Sequence, residues 1–214
     1  MAEQPALEAE RLLHVLSEHG VDYVLIGGVA IQAYGHVRTT LDLDVIASWT
    51  KDNMRRLAGA LTELEARLRG VDAEFLGIDL GDSQKLYEGG NFLMRTAHGD
   101  LDVFAAEQTA GAPRSYDRLR ARAVPVEVFG VRILVAHPED LIRMKAAASQ
   151  FRDRPEAKRR QDLDDIAVLE ALRTSWSAEL PDNPKASPRS TTRDASRGTT
   201  PSHEPPSRGP TIGR

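Results

Sequence analysis

Residues 21–46 read VDYVLIGGVAIQAYGHVRTTLDLDVI, and this stretch decides how the rest of the chain is interpreted. Near its end two aspartates, Asp42 and Asp44, alternate with leucine and valine, and this period of two predicts a strand. Side chains two residues apart on a strand project from the same face, so both carboxylates point the same way. Two negative charges held this close repel each other, and one tends to take up a proton unless a cation compensates them. A hard divalent metal ion with oxygen ligands is the usual solution.

The first half of the same stretch predicts a phosphate-binding turn. An apolar strand at about 22–26 ends at Gly27-Gly28, and a short helix follows to about Tyr34. Because glycines have no side chain, a phosphate can approach the backbone closely, and the start of a helix offers free amides and the positive end of its dipole. Each motif is common by itself, in turns and on solvated strands. The two together, with 13 residues between Gly28 and Asp42, are more specific.

A later strand supplies a third carboxylate. Asp102 lies between two apolar residues, and Asp100, which would share its strand face, competes with it for this position. Such a set of carboxylates can hold one or two Mg²⁺ (or Mn²⁺) ions. Two such metals, about 4 Å apart, can bind a triphosphate and activate an attacking hydroxyl for in-line displacement. The residues therefore predict phosphoryl or nucleotidyl transfer.

The composition argues against several other kinds of site. The 214 residues include no cysteine, which excludes disulfides, thiolate metal sites and cysteine nucleophiles. The six histidines show no pair at metal-binding spacing, and no serine lies in a nucleophile-elbow sequence. No apolar run approaches the roughly 20 residues of a membrane span, and the N-terminus has no signal-peptide core. We therefore expect a soluble, cytoplasmic protein with no membrane partner.

The charge differs between the body of the chain and its C-terminal segment. Residues 181–214 carry six Lys or Arg against three Asp or Glu and few large apolar residues, which predicts a disordered tail. Residues 1–180 carry 22 Lys or Arg against 29 Asp or Glu, a net charge of −7. This acidity gives no support to broad nucleic-acid binding, although a local basic patch is compatible with it. The two arginine-rich runs that could form such a patch, or simply solvated helix faces, are 114–122 and 152–160.

Periodicity and turn residues predict alternating helices and short strands. The predicted helices are at about 7–20, 28–34, 51–69, 114–122, 138–150 and 156–173. The predicted strands are at about 22–26, 41–46, 73–78, 91–96, 100–106, 124–129 and 131–136. Thr50 or Ser48 is the predicted N-cap of the third helix.

These motifs resemble the minimal nucleotidyltransferases of the DNA polymerase beta superfamily. The signature of that superfamily is matched in order by Ile26-Gly27-Gly28, Asp42-Leu43-Asp44 and Leu101-Asp102-Val103. The resemblance implies an NTP substrate and an α/β (α+β) nucleotidyltransferase fold. That fold is a mixed twisted sheet flanked by helices, followed by further C-terminal helices. We accordingly predict a nucleotidyltransferase domain over residues 1–180, with a core at 21–136 and a helical part at 137–175.

Within that superfamily the chain looks most like the AbiEii-type nucleotidyltransferase toxins, including the MenT-like toxins of mycobacteria. The likeness is carried by GGVA at 27–30, RTTLDLD at 38–44, HPEDLIRMK at 137–145 and QDLDDI at 161–166. It spans about residues 10–172. It implies a toxin of a toxin-antitoxin pair that transfers a nucleoside monophosphate from an NTP to a hydroxyl acceptor. The favoured acceptor is the 3′ end of tRNA, whose modification would block translation.

The resemblance also implies two late active-site residues, a lysine after the last strands and an aspartate in the final helix, which match Lys145 and Asp162. Lys145 lies at the edge of an apolar helical stripe, where it either extends to solvent or neutralises triphosphate charge. The family commonly has Lys or Arg before this aspartate, whereas this chain has Gln161, so Asp165 remains a second candidate. The predicted catalytic residues are Asp42, Asp44, Lys145 and Asp162.

The predicted nucleotide-binding residues are Gly27, Gly28, Arg38 and Thr40. Arg38 either binds phosphate or closes a structural ion pair. Thr40 would share the strand face of Asp42, so a phosphate on Thr40 would place negative charge where nucleotide and metal must bind. In MenT-like toxins an antitoxin can silence the toxin by phosphorylating a residue in this loop. The resemblance therefore implies a cognate antitoxin, in one form a kinase-like protein acting on Thr40 or Thr39.

Two other interpretations remain open. One is a nucleotidyltransferase that modifies a small hydroxyl compound or a protein side chain. The other is a non-catalytic module that binds a nucleotide or a partner protein. The intact set of Asp42, Asp44 and Asp102 argues against the module, because simple binding does not need three metal-binding carboxylates.

Overall fold

The structure is a computed structural model that describes residues 6–70, 79–106 and 115–179, with side chains described as far as residue 172. The helices are α1 Ala9–Glu18, α2 Gly27–Ala33, α3 Lys51–Glu63, α4 Ser83–Glu88, α5 Tyr116–Arg120, α6 Pro138–Ser149 and α7 Glu156–Glu179. The strands are β1 Tyr23–Ile26, β2 Asp42–Ala47, β3 Arg67–Leu68, β4 Phe92–Thr96, β5 Gly99–Phe104, β6 Val124–Val128 and β7 Val131–Val135.

The seven strands form one mixed sheet in the order β3-β4-β5-β2-β1-β7-β6. β2 lies between β1, its antiparallel neighbour, and β5, its parallel neighbour. The register places Asp42 opposite Asp100 and Asp44 opposite Asp102. The predicted class, a mixed α/β sheet flanked by helices, is confirmed, and its register brings the acidic positions of β2 and β5 together.

Two amphipathic helices show how apolar spacing builds the core. α1 buries Leu12, Leu13, Val15 and Leu16. α3 buries Met54, Leu57 and Leu61, and each such side chain contributes about 1.5–3 kcal/mol when it leaves water. The hydroxyl of Thr50 accepts a hydrogen bond from the backbone N–H of Asn53, so Thr50 is the N-cap of α3.

Two elements differ from the sequence prediction. α3 ends at Glu63 rather than near residue 69, because Glu65 adopts a positive φ of 50° that a helix does not tolerate. The next residues, Arg67–Leu68, instead pair with β4. The short helix α4 was not predicted, although its cap is typical: Asp82 accepts hydrogen bonds from the two backbone N–H groups of Gln84 and Lys85.

Some predictions fall on other parts of the chain. The predicted strand at 73–78 and the predicted tail at 181–214 lie outside the described residues. Among the residues that are described, none belongs to a helix long and apolar enough to cross a membrane.

Candidate active site

Three carboxylates meet where β2 and β5 lie side by side. We call Asp42, Asp44 and Asp102 the aspartate triad, because one oxygen atom from each lies within 4.8 Å of the others. Asp102 is buried, and the two β2 residues are partly exposed. Hard oxygen ligands at this spacing suit a divalent cation such as Mg²⁺ or Mn²⁺.

The ionisation of the triad indicates a shortage of positive charge. Burial, and then the negative charges of Asp42 and Asp102, raise the pKa of Asp44 to about 7. Burial also raises the pKa of Asp102 to about 6, although the nearby Arg69 guanidinium opposes this shift. A divalent cation supplies the missing charge and would lower both pKa values again. The donor set therefore fits a divalent metal.

The competing carboxylate, Asp100, is held in ion pairs. Arg69 Nη1 lies 2.6 Å from Asp100 Oδ2, and the other Nη of Arg69 contacts Asp102. Arg95 Nε lies 3.3 Å from Asp100 Oδ1. The structure thus places Asp102 in the triad and Asp100 between two guanidinium groups. Sequence reasoning missed Arg69, because the pattern predicted a helix there and gave no indication that its side chain reaches β5.

The Gly-Gly pair packs directly against the site. Gly27 has a φ of +68°, and a Cβ at this position would lie 2.0 Å from Asp44 Oδ2. A Cβ on Gly28 would lie 2.3 Å from Thr40 Oγ1. The missing side chains therefore let the chain's own Asp44 and Thr40 approach the start of α2. Thr40 Oγ1 in turn donates a hydrogen bond to Asp42 Oδ1 at 3.2 Å.

A second charged group joins α6, α7 and the segment before β2. We call Arg38, Lys145, Arg154, Asp162 and Asp165 the Lys145 cluster. Lys145 Nζ lies 3.1 Å from Asp162 Oδ1 and 3.0 Å from Asp165 Oδ2, so it contacts both late aspartates. Arg38 Nη1 lies 2.5 Å from Asp165 Oδ2, and Arg154 Nε lies 2.7 Å from Asp162 Oδ2.

The two aspartates of this cluster are almost fully buried, and each contacts two cationic side chains, of which Lys145 is shared. Arg38 forms an ion pair with Asp165, which is one of the two roles that the sequence predicted for it. The sequence analysis identified Arg154 only as part of the basic run at 152–160. Its ion pair with Asp162 could not be predicted, because it depends on the turn between α6 and α7. The structure thus brings Lys145, Asp162, Asp165 and Arg38 together.

One cavity of about 270 Å³ touches both groups. Its charged lining residues are Asp44, Lys145, Arg154 and Asp162, and Gly27 also faces it. The rest of the lining is apolar and consists of Ile26, Phe104, Leu141, Met144, Ala147, Ala148 and Phe151. A ligand in this cavity would therefore meet both charged groups and a largely apolar wall.

Comparison with known proteins gives a family. Residues 7–173 match the family described as "Nucleotidyltransferase of unknown function (DUF6036)". No curated protein matches the chain.

Solved structures resemble the fold at low sequence identity. The lincosamide antibiotic adenylyltransferase LnuA, bound to lincomycin, has a TM-score of 0.52 and 12% identity over 78% of this chain and 99% of that chain. ANT(2")-Ia in complex with adenylyl-2"-tobramycin has a TM-score of 0.47 and 17% identity, covering 79% and 95%. An antigenic nucleotidyltransferase-like protein from Paracoccidioides brasiliensis has a TM-score of 0.45 and 16% identity, covering 84% and 81%. The likeness to LnuA confirms the nucleotidyltransferase fold.

Proposed function

Because the chain belongs to the nucleotidyltransferase family DUF6036, we propose that it transfers a nucleoside monophosphate from an NTP to a hydroxyl acceptor with a divalent metal ion. The observation that carries this proposal is the aspartate triad, in which one oxygen atom from each carboxylate lies within 4.8 Å of the others and the pKa values of Asp44 and Asp102 are raised. Asp42, Asp44 and Asp102 would hold Mg²⁺ (or Mn²⁺). When bound, such an ion neutralises triphosphate charge and favours ionisation of the attacking hydroxyl.

The reaction forms one bond and breaks one. The acceptor hydroxyl oxygen bonds to the α-phosphorus, and the bond from that phosphorus to the bridging oxygen breaks. Pyrophosphate leaves with the electron pair, and the hydroxyl proton passes to a carboxylate of the triad. Lys145 balances charge on the phosphates, and the two aspartates within 3.1 Å hold its ammonium group in place. Gly27, which lines the cavity, would present its backbone to the phosphates, and Gly28 and Thr40 pack together behind it. Arg38, held by its ion pair with Asp165, would support this nucleotide-binding side.

Labelling tests the reaction class. The full chain is incubated with Mg²⁺, NTPs labelled at the α-phosphate, total RNA and a cell extract, beside the Asp42→Ala variant. We expect wild type, but not the variant, to transfer label to an acceptor. If no RNA, protein or small molecule is labelled, the enzyme proposal fails. If Asp42→Ala leaves every phenotype unchanged, a non-catalytic binding module is the better description.

We propose the 3′ end of tRNA as the acceptor, which makes the protein a translation-blocking toxin that acts in the cytoplasm, where NTPs and tRNA are found. The support is the sequence likeness at 27–30, 38–44, 137–145 and 161–166. The net charge of −7 over residues 1–180 is the main counter-argument, because it disfavours a large RNA interface. Periodate oxidation of the tRNA 3′ end should prevent labelling, and expression in cells should arrest growth.

We also propose a cognate antitoxin that silences the enzyme by phosphorylating Thr40 or Thr39. Thr40 Oγ1 already contacts Asp42 Oδ1 at 3.2 Å, so a phosphate there would set close to two negative charges against the triad. Thr40→Glu should abolish transfer, whereas Thr40→Ala should retain it. Full activity of the Glu variant would sink this idea.

A second candidate acceptor is a small hydroxyl compound. The solved LnuA structure holds lincomycin, and the cavity beside Asp44 is lined mainly by apolar residues. The labelling experiment separates the two acceptors, since the label would appear in a small product and would survive removal of RNA by ribonuclease.

A further inference from the structure

Phe151 presents an aromatic ring beside the proposed metal site. Phe151 lies between α6 and α7, is 46% exposed, and lines the same cavity as Gly27, Asp44 and Lys145. Single exposed apolar residues are ordinary on protein surfaces. Phe151 differs from them because its ring faces a cavity that also contains charged groups.

The backbone around Phe151 is held in place by hydrogen bonds, while the residue remains partly exposed. Its N–H donates to the carbonyl oxygen of Ala148 at 3.2 Å, and its carbonyl accepts from the N–H of Arg154 at 3.1 Å. The same carbonyl accepts from the Arg159 guanidinium at 3.3 Å. These hydrogen bonds fix the backbone from which the ring projects, so a ligand that packs on the ring does not also have to order the turn.

The rest of the apolar wall belongs to the elements that carry the charged groups. Phe104 lies two residues after Asp102 on β5 and therefore shares its strand face. Ile26 directly precedes Gly27, and Met144 directly precedes Lys145. The wall is thus built at a fixed distance from the groups that would hold metal and phosphate.

We propose that this apolar wall binds the base of the incoming NTP and that the ring of Phe151 stacks on that base. This inference rests on the proposed function. A nucleotide joins a polyanionic phosphate chain to a flat aromatic base. The cavity offers Lys145 and Arg154 to the phosphates, and it offers Phe151 and Phe104 to the base. Stacking of bases on aromatic side chains is a common source of nucleotide affinity.

Binding without acceptor tests the proposal. Calorimetry would measure the affinity of the full chain, with Mg²⁺, for an NTP with a non-hydrolysable α,β-methylene bridge and for inorganic tripolyphosphate. Phe151→Ala should weaken NTP binding about tenfold or more and leave tripolyphosphate binding unchanged, because only the first ligand has a base. Phe151→Tyr should restore NTP affinity. The matched control is Phe129→Ala, which truncates another exposed phenylalanine, 51% exposed, in the turn between β6 and β7.

Each other outcome has a distinct meaning. Equal NTP affinity for wild type and Phe151→Ala overturns the base site and leaves the proposed function to the labelling assay. An equal loss of tripolyphosphate binding shows general damage to the site, which also overturns stacking. Normal NTP affinity with a raised KM for RNA assigns the ring to the acceptor instead. If wild type binds no NTP at all, the proposed function itself fails, and this inference with it.

Discussion

One cavity contacts Asp44 of the aspartate triad and three side chains of the Lys145 cluster, yet the two groups have opposite charge balance. The triad has three carboxylates, and of the ion pairs described one, from Arg69 to Asp102, reaches it. The Lys145 cluster has two carboxylates and three cations within hydrogen-bonding distance. The aspartates of the two groups are therefore not equivalent: those of the triad outnumber the cations that contact them and would need a bound ligand for balance, whereas those of the cluster are balanced by the chain itself. Substitutions should separate these two behaviours.

The largest effect should follow from Asp44→Asn. If Asp44 is a metal ligand as proposed, its loss should reduce nucleotidyl transfer by about a thousandfold or more, equivalent to several kcal/mol of transition-state stabilisation. The free energy of unfolding measured in EDTA at pH 8 should not fall, because the substitution removes a repulsion. Transfer rates and urea unfolding check both statements. A clear loss of metal-free stability would show that the triad is balanced in the same way as the Lys145 cluster.

Asp162→Asn should have the opposite signature. Arg154 and Lys145 would lose a charged partner, and the free energy of unfolding should fall by about 2 kcal/mol with or without metal. Urea unfolding measures this change. Asp164→Asn, an exposed aspartate on the same helix, is the control and should change stability by less than about 0.5 kcal/mol. Equal stability of both variants would contradict the picture of a charge-balanced cluster.

The pH dependence of the free energy of unfolding should also separate the triad from the Lys145 cluster. The pKa of Asp44, about 7, lies above its ordinary value, so between about pH 4 and pH 7 the folded protein holds a proton that the unfolded chain has released. Stability of the metal-free protein therefore falls as pH rises through this window. Between pH 5 and pH 8, wild type should lose about 1–2 kcal/mol more than Asp44→Asn. Mg²⁺ should remove that difference. Parallel stability profiles of the two proteins in EDTA would contradict a raised pKa of Asp44.

The smallest effect should come from Arg95→Gln. Its side chain is 43% exposed and makes one 3.3 Å ion pair with Asp100, so the loss of stability should be at most about 0.5 kcal/mol. Arg69→Gln is the matched comparison, because Arg69 is less exposed and pairs with two buried carboxylates. It should cost about 1–2 kcal/mol. Equal costs in urea unfolding would mean that Arg69 has no special role at the edge of the triad.

Much of the fold followed from local patterns. The alternation of Asp42 and Asp44 with apolar residues correctly predicted β2, and the spacing of leucines correctly predicted a helix at α1. The end of α3 was missed because a positive φ at Glu65 leaves no trace in apolar periodicity. For α4 the capping residue Asp82 was a usable signal. The helix has six residues, which is too short to show a clear apolar periodicity as well.

The candidate site was also only partly predictable from the sequence. The sequence by itself determined which residues carry carboxylates on one strand face and where glycines break the chain, because strand period and backbone freedom are properties of neighbouring residues. Only the tertiary structure decided that Asp102 joins Asp42 and Asp44 while Asp100 is held by arginines. It also decided that Lys145 contacts both Asp162 and Asp165. The reason is physical: the charge balance of a buried carboxylate depends on side chains that folding brings from distant parts of the chain.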